Sequence, residues 1–326
     1  LSAGNGVAAV HVPVLLEEVL EYLKPGEAAE VMVDANLGEG GHAEAFLSTH
    51  SRLILLGVEV DAEIAEHAVA RLASFGRRFR LFRLWAADFF ECYESYYREP
   101  PARILFDLGI SQYHYEKACR GFSFSRDEPL DMRLDRGQDK TAGDIVNTLA
   151  ENELADLLRR YGEERYAGRI AHRIVRERRG STIDRSLRLA QIISEAVPTS
   201  YRRGRIHPAT RSFQALRIAV NNELSRLEAG LKGAFDVLKA GGRLGVICFH
   251  SLEDRIVKGF FRERNRSCKC PPDWPICQCG GHRELRILTK KPVRPTAEEL
   301  MRNPASRSAR FRVIEKIGFE KDSVGK

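Results

Sequence analysis

Acidic residues stand at the ends of four strand-like runs, where a nucleoside could be held. Asp34 falls within Glu30–Gly38, Glu59 at the end of Leu53–Val60, Asp88 at the end of Phe79–Asp88, and Asp107 within Arg103–Ile110. The first run leads into the bend NLGEGGHAEAFL. Its Gly38, Gly40 and Gly41 permit a sharp turn and a close backbone approach. The helix expected after them would offer free N–H groups. Glu59 follows about twenty residues on, where a carboxylate usually receives ribose hydroxyls. This set fits a nucleoside-bearing cofactor without choosing one, since GEGGHA satisfies the dinucleotide pattern when Ala43 fills the third position. Two details favour S-adenosylmethionine over NAD. Asp88 and Phe89 could hold an adenine, the acid accepting from the exocyclic amine, although Phe89 also suits plain core packing. Asp34, buried at its strand end, could orient the bend or meet an ammonium group. The bend has no Walker lysine, which speaks against a nucleoside triphosphate.

Positioning such a set takes an ordered sheet, and the chain reads as one. The four runs alternate with helical patterns, as in DAEIAEHAVARLASF, where Ile64, Ala68 and Leu72 share a face. That rhythm implies a parallel sheet with right-handed crossovers. From about Tyr113 to about His207 the strands give way to helical segments. One long helix is then expected, its apolar positions running from Phe213 to Leu238 and ending at Gly241 and Gly242. The sheet resumes with Arg243–His250, followed by a helix for which Ser251 is the expected N-cap. Glu284–Thr289 and Arg310–Ile317 read as two closing strands. The expected organisation is a discontinuous sheet domain over 11–112 and 208–317, an inserted helical domain over 113–207, and a tail over 318–326.

The composition narrows the class. With 43% hydrophobic residues among 326, a packed core is feasible. No apolar stretch approaches the roughly 20 residues that span a bilayer, and no signal-like segment opens the chain, so a cytoplasmic protein without membrane contact is expected. The net charge of +7 is modest, but arginine concentrates in Arg159–Gly180 and Tyr201–Arg211. Either segment is a polyanion-binding face or a solvated helix surface. Cys268, Cys270, Cys277 and Cys279 fall within CKCPPDWPICQC. Four thiolates could hold a structural zinc, though two C-x-C pairs are tighter than usual zinc spacing. The alternative is a reduced surface loop stiffened by Pro271, Pro272 and Pro275.

Longer motifs are more specific. DLGIS (Asp107–Ser111) is followed by RGFSFSRDEPLDMRLD, YGEERYAGRIAHRIV, HPATRSFQALRIAVNNEL, FHSLEDRIVK and NPASRSARFR. In this order and spacing they closely resemble the bacterial 16S ribosomal RNA cytosine-N4 methyltransferases, the RsmH/MraW family, from about His11 to about Ile317. The resemblance implies a Rossmann-like S-adenosylmethionine-dependent methyltransferase sheet (an α/β fold) with an inserted all-helical domain. It implies methyl transfer to N4 of a cytidine in the decoding centre of 16S rRNA within the small ribosomal subunit. By the same resemblance Gly40, Gly41 and His42 match the cofactor loop, Phe89 the aromatic beside the adenine, and Asp107 the acid that opens DLG. Glu59 stands where the family usually has Asp, and His114 where it often has Gln.

Cytosine N4 is a poor nucleophile that must shed a proton around the time of transfer. Placement and an acceptor near N4 should carry the catalysis. Asp107 is the candidate acceptor, with a pure cofactor contact as its alternative. His250 could also face the base. Arg169, Arg173, Arg176, Arg178, Arg202, Arg203 and Arg205 could neutralise phosphates. Phe122 and Phe124 could stack on an exposed base or glue the insert together. Arg133, with Asp131, and His207, Thr210, Arg211 and Gln214 are the expected substrate-cleft residues. Two other readings compete: an NAD-dependent oxidoreductase on the same bend, and a catalytically idle RNA-binding assembly factor. Monomer and homodimer are both open.

Overall fold

The structure is a computed structural model, and it describes residues 13–268, 270, 274, 278 and 281–318. The described residues up to Gly109 together with those from Arg226 onward form one compact unit, and Ile110–Ser225 form another. Among the described residues no helix is long and apolar enough to cross a membrane.

The first unit is built on a seven-stranded sheet: β1 (Val31–Asp34), β2 (Ile54–Val58), β3 (Phe79–Phe82), β4 (Arg103–Asp107), β5 (Arg243–Cys248), β6 (Leu285–Ile287) and β7 (Arg310–Lys316). The order is β3-β2-β1-β4-β5-β7-β6. The first five strands are parallel, as the β-α-β rhythm requires, while β7 runs antiparallel to both β5 and β6. β1 is buried at all four positions, as a strand covered on both faces should be. Leu227, Leu231, Phe235 and Val257 cover one face, and Val19, Phe46, Ala68 and Leu72 the other. The order reverses at β1 and β4, whose carboxyl ends carry Asp34 and Asp107. Ligands of open α/β sheets bind at such a switch point.

The third strand is shorter than the sequence suggests. β3 stops at Phe82 and Ala86–Glu91 is helical, so Asp88 and Phe89 lie on a helix rather than at a strand end.

The second unit is helical. Glu151–Gly162, Ala167–Glu177, Ser186–Ala196 and Thr210–Asn221 enclose a core that includes Leu154, Ile170, Ile193 and Leu216. Gly162 lets two of these helices meet closely, because a Cβ there would stand 2.5 Å from the Arg211 carbonyl oxygen. The long helix expected from Phe213 to Leu238 is two helices, Thr210–Asn221 and Glu223–Val237. Asn222 breaks it with a left-handed backbone, φ 50°, a conformation asparagine tolerates better than most residues. The apolar stripe runs through the break but serves two cores. Phe213, Leu216 and Val220 pack in the helical unit, and Leu227, Leu231 and Phe235 pack on the sheet. The helical unit therefore takes in the helix after His207, where the sequence placed the return to the sheet.

Asn221 is fully buried in this unit. Its Oδ1 accepts from the Leu134 N–H at 2.8 Å, and its Nδ2 donates to the Met132 and Arg217 carbonyls at 2.8 and 2.9 Å. Asn221→Ala strands the Leu134 N–H and the Met132 carbonyl. Each unsatisfied group costs about 1–3 kcal/mol, so we expect a destabilisation of about 2–4 kcal/mol in urea unfolding.

Candidate active site

The bend after β1 has the geometry its glycines suggest. Gly38 and Gly40 hold φ values of 55° and 80°, in the left-handed region that side chains avoid. Gly41 opens the helix Gly41–Thr49, and a Cβ on it would come within 2.5 Å of the Pro13 ring. Glu59 closes the bend from the next strand: its Oε2 accepts from the Gly38 N–H at 3.0 Å and its Oε1 from the Asp61 N–H at 2.9 Å. Asp61 in turn caps the helix Ala62–Leu72. One carboxylate thus ties the glycine turn to the following helix.

His42 lies in the first turn after the bend and is 5% exposed. Its Nε2 sits 3.0 Å from the Val14 carbonyl oxygen. A carbonyl only accepts, so this nitrogen carries a proton. Its Nδ1 faces Asp107 Oδ2 at 3.7 Å. Asp107 keeps about a quarter of its side chain, 23%, exposed. The chain beyond it passes close to Phe249, since a Cβ on Gly109 would stand 2.7 Å from that ring.

Three acceptor oxygens gather at these strand ends. Asp34 Oδ1, Asn36 Oδ1 and Asp107 Oδ1 are buried and have no hydrogen-bond donor among the described residues. Buried acceptors left unmade are costly and call for an explanation. Burial, followed by repulsion from Asp107, pushes the Asp34 carboxyl up to about 8, against the pull of the Asn36 backbone. Burial pushes Asp107 up to about 7, aided by Glu253 and opposed by the Gly109 backbone. A group bearing positive charge and N–H donors is what this cluster lacks. Asn36, which lies in the bend itself, joins the expected residues here, and nothing in its residue type alone signals the role.

Asp34 also fixes a pH dependence of stability. Its folded carboxyl titrates near 8 against 3.8 in the unfolded chain, so the folded state prefers the protonated form. Its contribution is complete below pH 4 and is lost as pH rises through about 8. Asp34→Asn removes that penalty. We expect its melting temperature to exceed that of the wild type at pH 8, with the difference gone near pH 4.

Other expectations need correction. Phe89 is 0% exposed, packed against Phe82, Phe90, Tyr93 and Tyr96. Its ring offers no face to an adenine, so core packing accounts for it. Asp88 is more than half exposed and lies 3.6 Å from the Arg226 guanidinium, which stacks over the Trp85 ring at 4.2 Å. His250, rather than Ser251, is the N-cap of the helix Ser251–Arg264. Its Nδ1 accepts from the Glu253 N–H at 3.3 Å, and its Nε2 lies 3.1 Å from Glu253 Oε1. Nδ1 is thus taken up by the cap, while Nε2 is buried beside Glu253 without a hydrogen-bond partner among the described residues.

Within the helical unit, Arg133 is committed to its own loop. It forms a fork–fork pair with Asp131, at 2.8 Å on both arms, and donates to the Arg136 and Gln138 carbonyls. That occupies four of its five N–H donors, so it is a loop clamp and not a phosphate ligand. Arg173 pairs with Glu177 and Glu195, Arg176 lies 3.6 Å from Glu177, and Arg178 donates to the Val146 carbonyl. His114 is 4% exposed, its ring edge-on to Phe122. Arg211 donates to the Glu163 carbonyl at 3.3 Å, His207 is exposed, and Gln214 is half-buried. Of the cysteine cluster, Cys268 is exposed and Cys270 half-buried, the Cys270 N–H donating to Cys268 Sγ at 3.4 Å. Cys277 and Cys279 lie outside the described residues, and with them the zinc expectation.

Comparison with known proteins adds two findings. The family model described as the MraW methylase family matches residues 8–317. The ribosomal RNA small subunit methyltransferase H of Treponema denticola is 54% identical over 310 residues, covering 95% of this chain and 98% of that protein. Its counterpart from Syntrophobacter fumaroxidans is 48% identical over 314 residues, covering 96% and 98%.

Proposed function

The chain belongs to the MraW methylase family, and on that footing we propose that it moves a methyl group from S-adenosylmethionine to N4 of a cytidine in the decoding centre of small-subunit ribosomal RNA. The full-length likeness to a small-subunit rRNA methyltransferase carries this reading. The three donorless acceptor oxygens at the ends of β1 and β4 support it from the geometry.

The residues present suit the donor. Glu59 presents a carboxylate beside the glycine turn and is the proposed partner of the ribose hydroxyls. Gly40 and Gly41 keep Cβ atoms out of the bend. Asn36 and Asp107 supply acceptors for the ammonium, and the positive charge of the donor would draw Asp34 and Asp107 toward their ionised forms. Asp88 is the candidate acceptor for the adenine amine. S-adenosylmethionine itself supplies an electrophilic methyl group.

What remains for the chain is to orient N4 and take its proton. Asp107 is the proposed acceptor. Its ionised carboxylate polarises the N4–H bond and stabilises positive charge as the nitrogen attacks. His42, its tautomer fixed by the Val14 carbonyl, flanks Asp107 without donating to it from Nδ1 when neutral. His250 acts as a positioning residue that caps the helix after β5. His114, His207, Arg211 and Gln214, all on the helical unit, are the proposed RNA contacts.

The test is transfer of radiolabelled methyl groups from S-adenosylmethionine to unmodified small ribosomal subunits, followed by nucleoside analysis. N4-methylcytidine is the expected product. Label at another nucleoside, or none at all with the donor bound, would overturn the assignment. Calorimetry with NAD should show no binding.

A further inference from the structure

Two of the proposed RNA contacts, His207 and Arg211, belong to one strongly basic segment of the helical unit. Residues 199–211, TSYRRGRIHPATR, contain four arginines and no acidic residue. Unlike Arg133, Arg173 and Arg178, the side chains of Arg203 and Arg205 are exposed and pair with no carboxylate among the described residues. They therefore project charge that nothing in the unit neutralises.

Aromatic rings accompany that charge. The His207 ring lies over Phe124, with centroids 4.4 Å apart and planes 25° from parallel. Phe124 is braced from behind by Phe213, edge-on at 5.0 Å. The Ala209 N–H donates to His207 Nδ1 at 3.2 Å and fixes the ring's orientation. Partial burial lowers the pKa of His207, so near neutral pH it presents an uncharged flat ring. Tyr201 stands edge-on to Tyr166 at 4.9 Å, and its hydroxyl donates to Glu164 at 2.9 Å. Burial and Glu164 raise the pKa of that hydroxyl, while Arg211 and Arg165 pull against them; the Arg165 guanidinium lies over the Tyr166 ring at 5.2 Å.

Point charges alone would suit any polyanion. An exposed ring held rigidly by the half-buried Phe124 and flanked by arginines suits unpaired nucleotides, because a base inside a duplex has no face to offer. We infer that residues 199–211 and Phe124 grip a single-stranded stretch of the RNA substrate, with a base stacked on His207 and phosphates on Arg203, Arg205 and Arg211. This rests on the ribosomal RNA reading above and adds the mode of recognition. The grip should tolerate sequence, since stacking reads no base edge.

The measurement is fluorescence anisotropy of a short fluorescein-labelled single-stranded RNA with the full chain, over a range of salt. A base–aromatic contact is worth about 5- to 150-fold in affinity. We expect His207→Ala to weaken binding by roughly tenfold within that range, and His207→Phe, which keeps a ring, to restore most of it. Losing two phosphate contacts in Arg203→Glu/Arg205→Glu should flatten the log–log salt dependence by about 1.4, at about 0.7 per phosphate. Both variants should raise KM for small subunits more than they lower kcat, with S-adenosylmethionine affinity by calorimetry unchanged. The same RNA as a duplex should bind more weakly and be indifferent to His207→Ala. Unchanged single-strand affinity in both variants, or equally good displacement by polyglutamate, would overturn the inference. Wild-type protein that grips RNA but transfers no methyl group would instead sink the methyl-transfer reading and leave this one standing.

Discussion

Asp107→Asn is expected to lower kcat for methyl transfer by about 100- to 10,000-fold, the usual contribution of a positioned proton acceptor, while donor affinity changes only a few-fold. The amide is nearly isosteric and keeps one acceptor oxygen toward the donor, but it cannot take a proton from N4. The strand end should hold its shape, because β4 is paired on both sides, with β1 and β5. The pH profile gives an independent check. Asp107 titrates near 7, held up chiefly by burial, and only its ionised form can accept. In the wild type kcat/KM should therefore climb as pH rises through about 7 and level off above it. In the variant this rise should vanish along with the activity. A variant that keeps near-wild-type kcat and instead loses donor affinity would reassign Asp107 from proton acceptor to donor contact. Single-turnover rates on unmodified small subunits, beside donor titration by calorimetry, separate the two.

The geometry of the glycine turn and its strand ends was legible in the sequence because its determinants are local. A glycine turn, an acid at a strand end and a second acid one β-α-β step later follow from backbone geometry, and Asp34, Gly38, Gly40 and Glu59 stand where that logic puts them. All seven strands could be read for the same reason, since each is a short apolar run bounded by polar residues. What escaped depends on neighbours remote in the chain. Period alone cannot show that one stripe from Phe213 to Leu238 feeds two cores, because the stripe continues through Asn222 unbroken. Arginines look alike in a sequence, yet Arg133 is consumed by Asp131 and two carbonyls while Arg203 and Arg205 stay exposed. Phe89 and His250 mislead for a related reason. An aromatic ring or an imidazole near a site looks available until its partners, the ring cluster around Tyr93 and the Glu253 capping pair, are in view.

Glu59→Ala should have the second large effect, on donor binding before catalysis. The carboxylate is asked to hold ribose hydroxyls while it anchors Gly38 and Asp61 through their N–H groups. A hydrogen bond to a charged group contributes about 1.5–3 kcal/mol, so losing two from the ribose weakens S-adenosylmethionine by roughly 100-fold or more. Loss of the Gly38 and Asp61 contacts frees the turn and adds to that penalty. Glu59→Gln separates these roles. Its amide oxygen can still accept from one backbone N–H, but its NH₂ group faces donors on the other side, so one anchor and one ribose contact fail together. The expected ranking of donor affinity is wild type, then Gln, then Ala, read by calorimetry. Glu59→Asp tests reach. The shorter side chain can meet the ribose only if the Gly38 turn shifts toward it, so it should bind better than Ala while melting below wild type. If Glu59→Ala bound the donor as tightly as wild type, the ribose would lie elsewhere. The bend would then hold some other part of the cofactor.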